Sequence, residues 1–96
     1  MEYKYGEITE KILRAAMNVH GGLGNGFQEV IYQRALEIEF RLLTINFARE
    51  VSMPIFYKDM LIGERMVDFL VEGKICVELK ASFNWKMFIW HKARII

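Results

Sequence analysis

The sequence predicts an α/β domain with two N-terminal helices, a three-stranded antiparallel meander and a partial C-terminal helix. Apolar residues recur at helical spacing in the first part of the chain, and two runs of alternating polarity surround Gly73. After Ala81 an apolar, aromatic stretch again suits a helix, and it stops abruptly at Ile96. We therefore expect one domain over residues 1–96, incomplete at its C terminus.

Two N-terminal helices follow from apolar spacing. The first is predicted from Glu7 to about His20, ended by Gly21-Gly22, with a buried face of Ile8, Ile12, Ala15, Ala16 and Val19. The second begins near Phe27 or Gln28 and runs to about Leu43, with an apolar stripe of Ile31, Ala35, Ile38 and Leu42. The glycine-rich loop between them is read as a reversal of direction, because no Gly-Lys-Ser/Thr follows it.

The first strand of the meander is predicted over residues 46–57. Because proline cannot donate to a sheet ladder, Pro54 indicates either an edge strand or a strand that is broken there. Lys58-Asp59 marks a turn, and residues 61–71 return as the first arm of a hairpin. That arm and the run after Gly73 together form the most informative part of the chain.

Within residues 66–80, the odd positions of the two arms are apolar, namely Val67, Phe69, Val71, Ile75, Val77 and Leu79. Side chains alternate faces along a strand, so burying both sets on one face requires paired residue numbers with an even sum. A three-residue loop with Gly73 in the left-handed conformation satisfies this condition. The same register places Asp68, Glu78 and Lys80 together on the opposite face.

Two carboxylates and a lysine on one face suit metal-assisted hydrolysis of a phosphodiester. One or two carboxylates commonly hold Mg²⁺, so Asp68 and Glu78 are the candidate ligands of Mg²⁺ or Mn²⁺. Lys80 would orient the attacking water or stabilise developing charge. The alternative is a polar sheet face with an ordinary cross-strand ion pair. Met66, Leu70 and Cys76 share that face, which predicts that it is partly covered.

Charge, cysteine content and hydropathy argue against several classes of protein. The formal net charge of +1 argues against a strongly electrostatic nucleic-acid binder, although Lys80, Lys86, Lys92 and Arg94 follow Glu78 without any acidic residue. A single cysteine, Cys76, excludes an internal disulfide and a cysteine-built zinc site. With no signal-peptide pattern and no apolar run of membrane-spanning length, we expect a cytoplasmic protein without a membrane partner.

The C-terminal stretch has two interpretations. Trp85 and Trp90, interleaved with basic residues, could stack on a nucleic-acid strand, or they could belong to the apolar face of a core helix. His20 and His91 have no neighbours at metal-ligand spacing and are interpreted as surface or capping residues. An uncovered sheet edge next to an incomplete helix predicts self-association.

Two motifs at a matching separation resemble a known family. Asp68, nine intervening residues and Glu78-Leu79-Lys80 resemble the D…ExK motif of the PD-(D/E)XK nuclease superfamily, with Val67 in place of its proline. Residues 26–32 are similar to the pattern of the GxxExxY proteins, a prokaryotic branch of that superfamily. The resemblance covers residues 8–81.

The resemblance implies a restriction-endonuclease-like fold and a Mg²⁺-dependent or Mn²⁺-dependent nuclease acting on DNA or RNA. It implies catalytic roles for Asp68, Glu78, Lys80 and Glu29, with Glu29 joining Asp68 and Glu78 as a metal ligand. Arg94 stands where related proteins carry a glutamine. The resemblance also implies a further strand after the last helix, so we expect a truncated or frameshifted family member, or a fragment. The alternative functions are a catalytically inactive nucleic-acid-binding or protein-interaction module, and a non-functional remnant.

Overall fold

The computed structural model describes residues 6–81 and 84–91. Two helices, α1 (Gly6–Leu23) and α2 (Glu29–Leu42), precede four strands, β1 (Phe47–Tyr57), β2 (Met60–Val71), β3 (Ile75–Ala81) and β4 (Trp85–His91). The strands form one sheet in the order β1-β2-β3-β4, and the β1–β2 and β2–β3 pairs are antiparallel. The predicted α/β class is confirmed, whereas the predicted three-stranded meander is wrong by one strand.

Two compact units make up the chain. One unit contains Met1–Asn46 and Leu79–Met87, and the other contains Phe47–Glu78 and Phe88–Ile96. Strands β3 and β4 therefore each contribute residues to both units. The prediction of a single domain over residues 1–96 stays a prediction. Among the described residues, no helix is both long and apolar enough to cross a membrane.

Helix α1 buries the predicted face of Ile12, Ala15, Ala16 and Val19, but it ends later than expected. Gly21 and Gly22 lie inside the helix, and Gly24, with φ of +69°, is the residue that leaves it. The Gly24 N–H donates to the carbonyl of His20 at 2.8 Å, which is the bond that closes a left-handed helix end. The predicted stop was wrong because several glycines in this loop could serve as the left-handed residue.

Helix α2 begins at Glu29, and its buried stripe differs from the prediction. Tyr32, Leu36 and Phe40 are buried, whereas Ile38 and Leu42 are 56% and 71% exposed. Both series have helical spacing, so periodicity alone did not separate them. The series that is buried carries two aromatic rings, and larger rings remove more apolar surface from water.

Strand β1 is the edge strand that Pro54 predicted, and the Lys58-Asp59 turn is confirmed by positive φ at both residues. The predicted C-terminal helix is wrong within the described residues, because Trp85–His91 is strand β4. Its half-buried residues Trp85, Met87 and Ile89 alternate with the exposed Lys86 and Phe88. Because Phe88 is apolar although it is exposed, the sequence of this segment does not show the polar and apolar alternation typical of a strand. The remainder of the predicted helix, including Arg94, lies outside the described residues.

Candidate active site

The hairpin of β2 and β3 has the predicted register. The pairs Phe69–Val77, Leu70–Cys76 and Val71–Ile75 each sum to an even number and leave a loop of three residues. Gly73 has the predicted left-handed conformation, with φ of +67°, and Glu72 shares it with φ of +53°. The Lys74 N–H donates to the Val71 carbonyl at 2.9 Å, which closes a four-residue turn.

Burial follows the same parity. All six odd-numbered apolar side chains of the hairpin are at most 1% exposed. On even positions Cys76 is buried, Leu70 and Asp68 are half-buried, and Lys80 is exposed. The predicted partial cover is thus confirmed for Leu70 and Cys76, but it is wrong for Met66, which is 60% exposed. Glu78 is the buried charged residue of this face, with 7% of its surface exposed.

The Glu78 carboxylate accepts hydrogen bonds from two side chains. Trp90 Nε1 donates to Oε2 at 2.8 Å, and Arg65 Nε lies 3.2 Å from Oε1 and 3.0 Å from Oε2. The guanidinium carbon of Arg65 lies 5.9 Å from the centroid of the Trp90 ring. A cation on the neighbouring strand therefore compensates a nearly buried negative charge. This is a cross-strand ion pair, as in the alternative interpretation.

A cavity of about 280 Å³ lies beside Glu78. It is lined by Ile55, Arg65, Glu78, Phe88 and Trp90. Because about 10–15 Å³ on this measure already admits one water molecule, the space has room for several waters. The carboxylate and the guanidinium supply the charged part of a wall that is otherwise apolar.

Among the described residues that line the cavity, Glu78 is the one carboxylate, and the Arg65 guanidinium is its counter-ion. A carboxylate offers about four lone-pair positions, and the Glu78 oxygens make three contacts with Arg65 and Trp90. The charge of Glu78 already attracts a cation, which is now the Arg65 guanidinium. Within residues 6–81 and 84–91, no three side chains of His, Cys, Asp or Glu form a group able to hold a metal. Mg²⁺ is commonly held by one or two carboxylates, and that such a site forms at Glu78 stays a prediction.

The four predicted site residues are divided between the two compact units, two in each. Asp68 in β2 and Glu78 in β3 both belong to the unit of Phe47–Glu78. One step beyond the Phe69–Val77 pair, the same register would set Asp68 opposite Glu78, and this step stays a prediction. Lys80, near the end of β3, and Glu29, the first residue of α2, belong to the other unit. That they join the site also stays a prediction.

Tyr32, the last residue of the Gly26–Tyr32 motif, fixes the loop before α2. Its hydroxyl donates to the Gly24 carbonyl at 2.6 Å and accepts from the Phe27 N–H at 3.2 Å. Its buried ring stacks on Trp85 with centroids 5.3 Å apart and planes 11° apart. These bonds set where α2 begins, and therefore they place Glu29 in its first turn.

Sequence reasoning missed Arg65 and Trp90 as partners of Glu78. Trp90 was assigned to a helix, because the sequence of β4 does not alternate between polar and apolar residues. No sequence pattern indicated that Arg65 contacts Glu78. Strict alternation would place an odd-numbered residue of β2 on the opposite face of the sheet from Glu78. The regular β1–β2 pairs omit Glu50 and Asp68, and Glu50 has φ of +53°. The β1–β2 register is the same on both sides of this gap, and its one printed shift lies between Ile55 and Phe56; no polarity pattern in the sequence reveals either feature.

Comparison with models of known protein families identifies the superfamily to which the chain belongs. A family model of the PD-(D/E)XK nuclease superfamily matches residues 6–94. The chain belongs to the PD-(D/E)XK nuclease superfamily. No curated protein and no solved structure matches it. Two helices followed by a four-stranded sheet are consistent with the fold of this superfamily, whose nucleases usually use divalent metals and whose substrates are nucleic acids.

Proposed function

We propose that this protein is a Mg²⁺-dependent or Mn²⁺-dependent nuclease of the GxxExxY branch that hydrolyses phosphodiester bonds of DNA or RNA. The observation that carries the proposal is Glu78, a nearly buried carboxylate that faces a cavity of about 280 Å³ and already attracts a cation. Burying an ionised carboxylate is costly, so a chain keeps one where its charge is compensated or used. Glu78 also begins the Glu-x-Lys part of the motif, within the range that the family model matches.

The proposal gives each residue a role. Asp68 and Glu78 hold the metal, and Glu29 assists them as a third carboxylate. A bound Mg²⁺ or Mn²⁺ supplies hydroxide near neutral pH and offsets charge on the phosphoryl oxygens. Lys80, an exposed cation two residues after Glu78, orients the attacking water or stabilises the developing charge. Trp90 keeps the Glu78 carboxylate in a fixed orientation through the bond to Oε2.

One observation favours a second function. The Glu78 carboxylate is held by Arg65 and Trp90, as in a structural ion pair, and no group of three metal-ligating side chains occurs in the described part of the chain. A catalytically inactive nucleic-acid-binding or protein-interaction module would keep such a pair for stability. The two functions differ in whether a metal reaches Glu78 and whether a phosphodiester is cut.

Cleavage assays on single-stranded and double-stranded DNA and RNA, with Mg²⁺ or Mn²⁺, test the proposal. The variants are Glu78→Gln and Asp68→Asn, which keep the side-chain shape but remove the charge. Because a hard cation needs these charges, we expect each variant to lose at least about a hundredfold in cleavage rate. Glu64→Gln is the matched control, since Glu64 is an exposed carboxylate of the same strand as Asp68.

Three outcomes separate the candidates. Cleavage by the wild type and the control, but not by the two variants, supports the nuclease. Nucleic-acid binding without cleavage in any metal favours the inactive module and contradicts the nuclease proposal. Cleavage that survives both substitutions places the catalytic centre elsewhere.

The proposal includes self-association through the edge of the sheet. Strand β4 is the last strand in the sheet order, and Phe88 on it is 50% exposed. An edge strand offers unpaired backbone donors and acceptors that a second copy of the chain can bind. Sedimentation velocity is expected to show a species larger than the monomer at high micromolar concentration. A clean monomer there counts against this part of the proposal.

A further inference from the structure

Helix α2 has two apolar faces, and only one of them is buried. The buried face is formed by Tyr32, Leu36 and Phe40. The second face is the stripe predicted from the sequence, here called the outer stripe, and consists of Ile31, Ala35, Ile38 and Leu42. Ile38 and Leu42 are 56% and 71% exposed, and the other two residues are half-buried. Exposed apolar surface of this kind is typical of a site where another molecule binds.

The outer stripe has the spacing of a coiled-coil seam. Its four members are separated by four, three and four residues, which is the alternation of d and a positions in the heptad abcdefg. Two such seams pack by inserting each side chain between side chains of the facing helix. Because α2 is already held as a helix by its buried face, association carries no cost for ordering it.

The charges beside the outer stripe indicate a second copy of the same helix as its partner. In this heptad register Arg34 occupies a g position and Glu39 the next e position. When two helices run parallel, a g residue faces the e residue five positions later on the other helix. Arg34 of each copy would therefore face Glu39 of the other, and two-fold symmetry makes both pairs. An antiparallel arrangement would bring the g residues Arg34 and Arg41 together, where like charges repel.

The contacts that these residues make within the chain are compatible with such a pair. Arg34 is exposed, and Glu39 accepts a hydrogen bond from Asn18 Nδ2 at 3.0 Å. A carboxylate has about four acceptor positions, so this bond leaves room for a guanidinium. The other g residue, Arg41, lies 2.6 Å from Glu37 of its own helix, and this ion pair compensates its charge.

We propose that the outer stripe of α2 is a homodimer interface, in which two copies of the chain pack α2 against α2 in parallel. The stripe supplies the apolar seam, and Arg34 and Glu39 set the orientation. This interface is distinct from the edge of the sheet at β4. It requires neither a metal nor a nucleic acid, so it goes beyond the proposed nuclease activity.

Sedimentation equilibrium of the full chain, from low micromolar to millimolar concentration, measures the dissociation constant of the dimer. Ile38→Lys places a charge from each copy in the seam, so we expect this constant to rise at least about tenfold. Leu13→Lys is the matched control, because Leu13 is 46% exposed on α1, outside the stripe. It introduces the same charge and is expected to leave the constant unchanged.

Reversal of the two charges tests the parallel orientation. Arg34→Glu and Glu39→Arg each place like charges opposite each other in the dimer, so each variant alone is expected to dimerise about three- to tenfold more weakly than the wild type. In an equimolar mixture of the two variants, every pair between unlike copies joins opposite charges. We therefore expect the mixture to form a heterodimer about as stable as the wild-type dimer.

Each contrary outcome overturns the proposal. A wild type that stays monomeric up to millimolar concentration has no such interface. Equal dissociation constants for the wild type and Ile38→Lys would show that the copies associate elsewhere, for example through β4. An equal effect of Leu13→Lys and Ile38→Lys would show an effect of net charge. A mixture of the charge variants that dimerises no better than either variant alone would contradict the parallel pairing of Arg34 with Glu39.

Discussion

At the residue scale, Glu78 and Tyr32 each connect parts of the chain that are distant in sequence. Glu78 joins β3 to Arg65 of β2 and Trp90 of β4. Tyr32 joins α2 to the preceding loop and stacks on Trp85. Glu78 lies in the segment that resembles the superfamily's ExK motif and carries the proposed chemistry, whereas Tyr32 lies in the segment similar to the GxxExxY pattern and holds a loop.

Removal of the Tyr32 hydroxyl tests its role in the loop. Tyr32→Phe keeps the buried ring but leaves the Gly24 carbonyl and the Phe27 N–H without this partner. We expect the free energy of unfolding to fall by about 1–2 kcal/mol, since each lost hydrogen bond contributes about 1 kcal/mol. Urea denaturation measures the change.

The matched control for this prediction is Tyr57→Phe. Tyr57 is half-exposed at the end of β1, and surface changes of this kind alter stability by less than about 0.5 kcal/mol. Equal effects of the two substitutions would show that the Tyr32 hydroxyl does not hold the loop.

The residues that sequence reasoning could name were those in local patterns. Asp68, Glu78 and Lys80 were named because alternation and the motif coincide on one hairpin. Arg65 could not be named, because its contact with Glu78 depends on the path of β2 in three dimensions. The role of Tyr32 was missed for a related reason, since its hydroxyl bonds to backbone atoms of a loop whose shape no periodicity describes.

At the element scale, the hairpin was the best predicted part and β4 the worst. The odd-numbered apolar residues fixed the parity of the β2–β3 register, and the loop of three residues followed from that parity. In β4, the exposed Phe88 made an alternating strand resemble an apolar helix face. The stop of α1 was misplaced for a different reason, since Gly21, Gly22 and Gly24 lie close together and only one has positive φ.

Two alanine substitutions test where α1 ends. Gly21 lies inside the helix, and a Cβ there would meet no atom within 4 Å, so Gly21→Ala should stabilise the protein by about 0.5–1 kcal/mol. Gly24 has φ of +69°, so Gly24→Ala should destabilise it by about 1 kcal/mol. Thermal or urea unfolding of the pair measures both signs. Stabilisation by both substitutions would contradict the helix end at Gly24.

At the scale of the whole molecule, the order of the elements predicted the fold class. The resemblance to a known superfamily was based on two short motifs. Helical periods first and alternating periods later predicted two helices before an antiparallel sheet. The number of strands could not be counted correctly, because β4 was read with the wrong period. The family model that matches residues 6–94 then shows the superfamily, whereas the GxxExxY branch stays a proposal.

The central claim is that Glu78 is a binding site for a divalent cation, and calorimetric titration of Mn²⁺ tests it most directly. The wild type and the Glu64→Gln control are expected to bind Mn²⁺ with equal affinity. Glu78→Gln is expected to bind at least about tenfold more weakly, because it loses the carboxylate charge. Unchanged binding by Glu78→Gln, or no binding by the wild type, would contradict the claim.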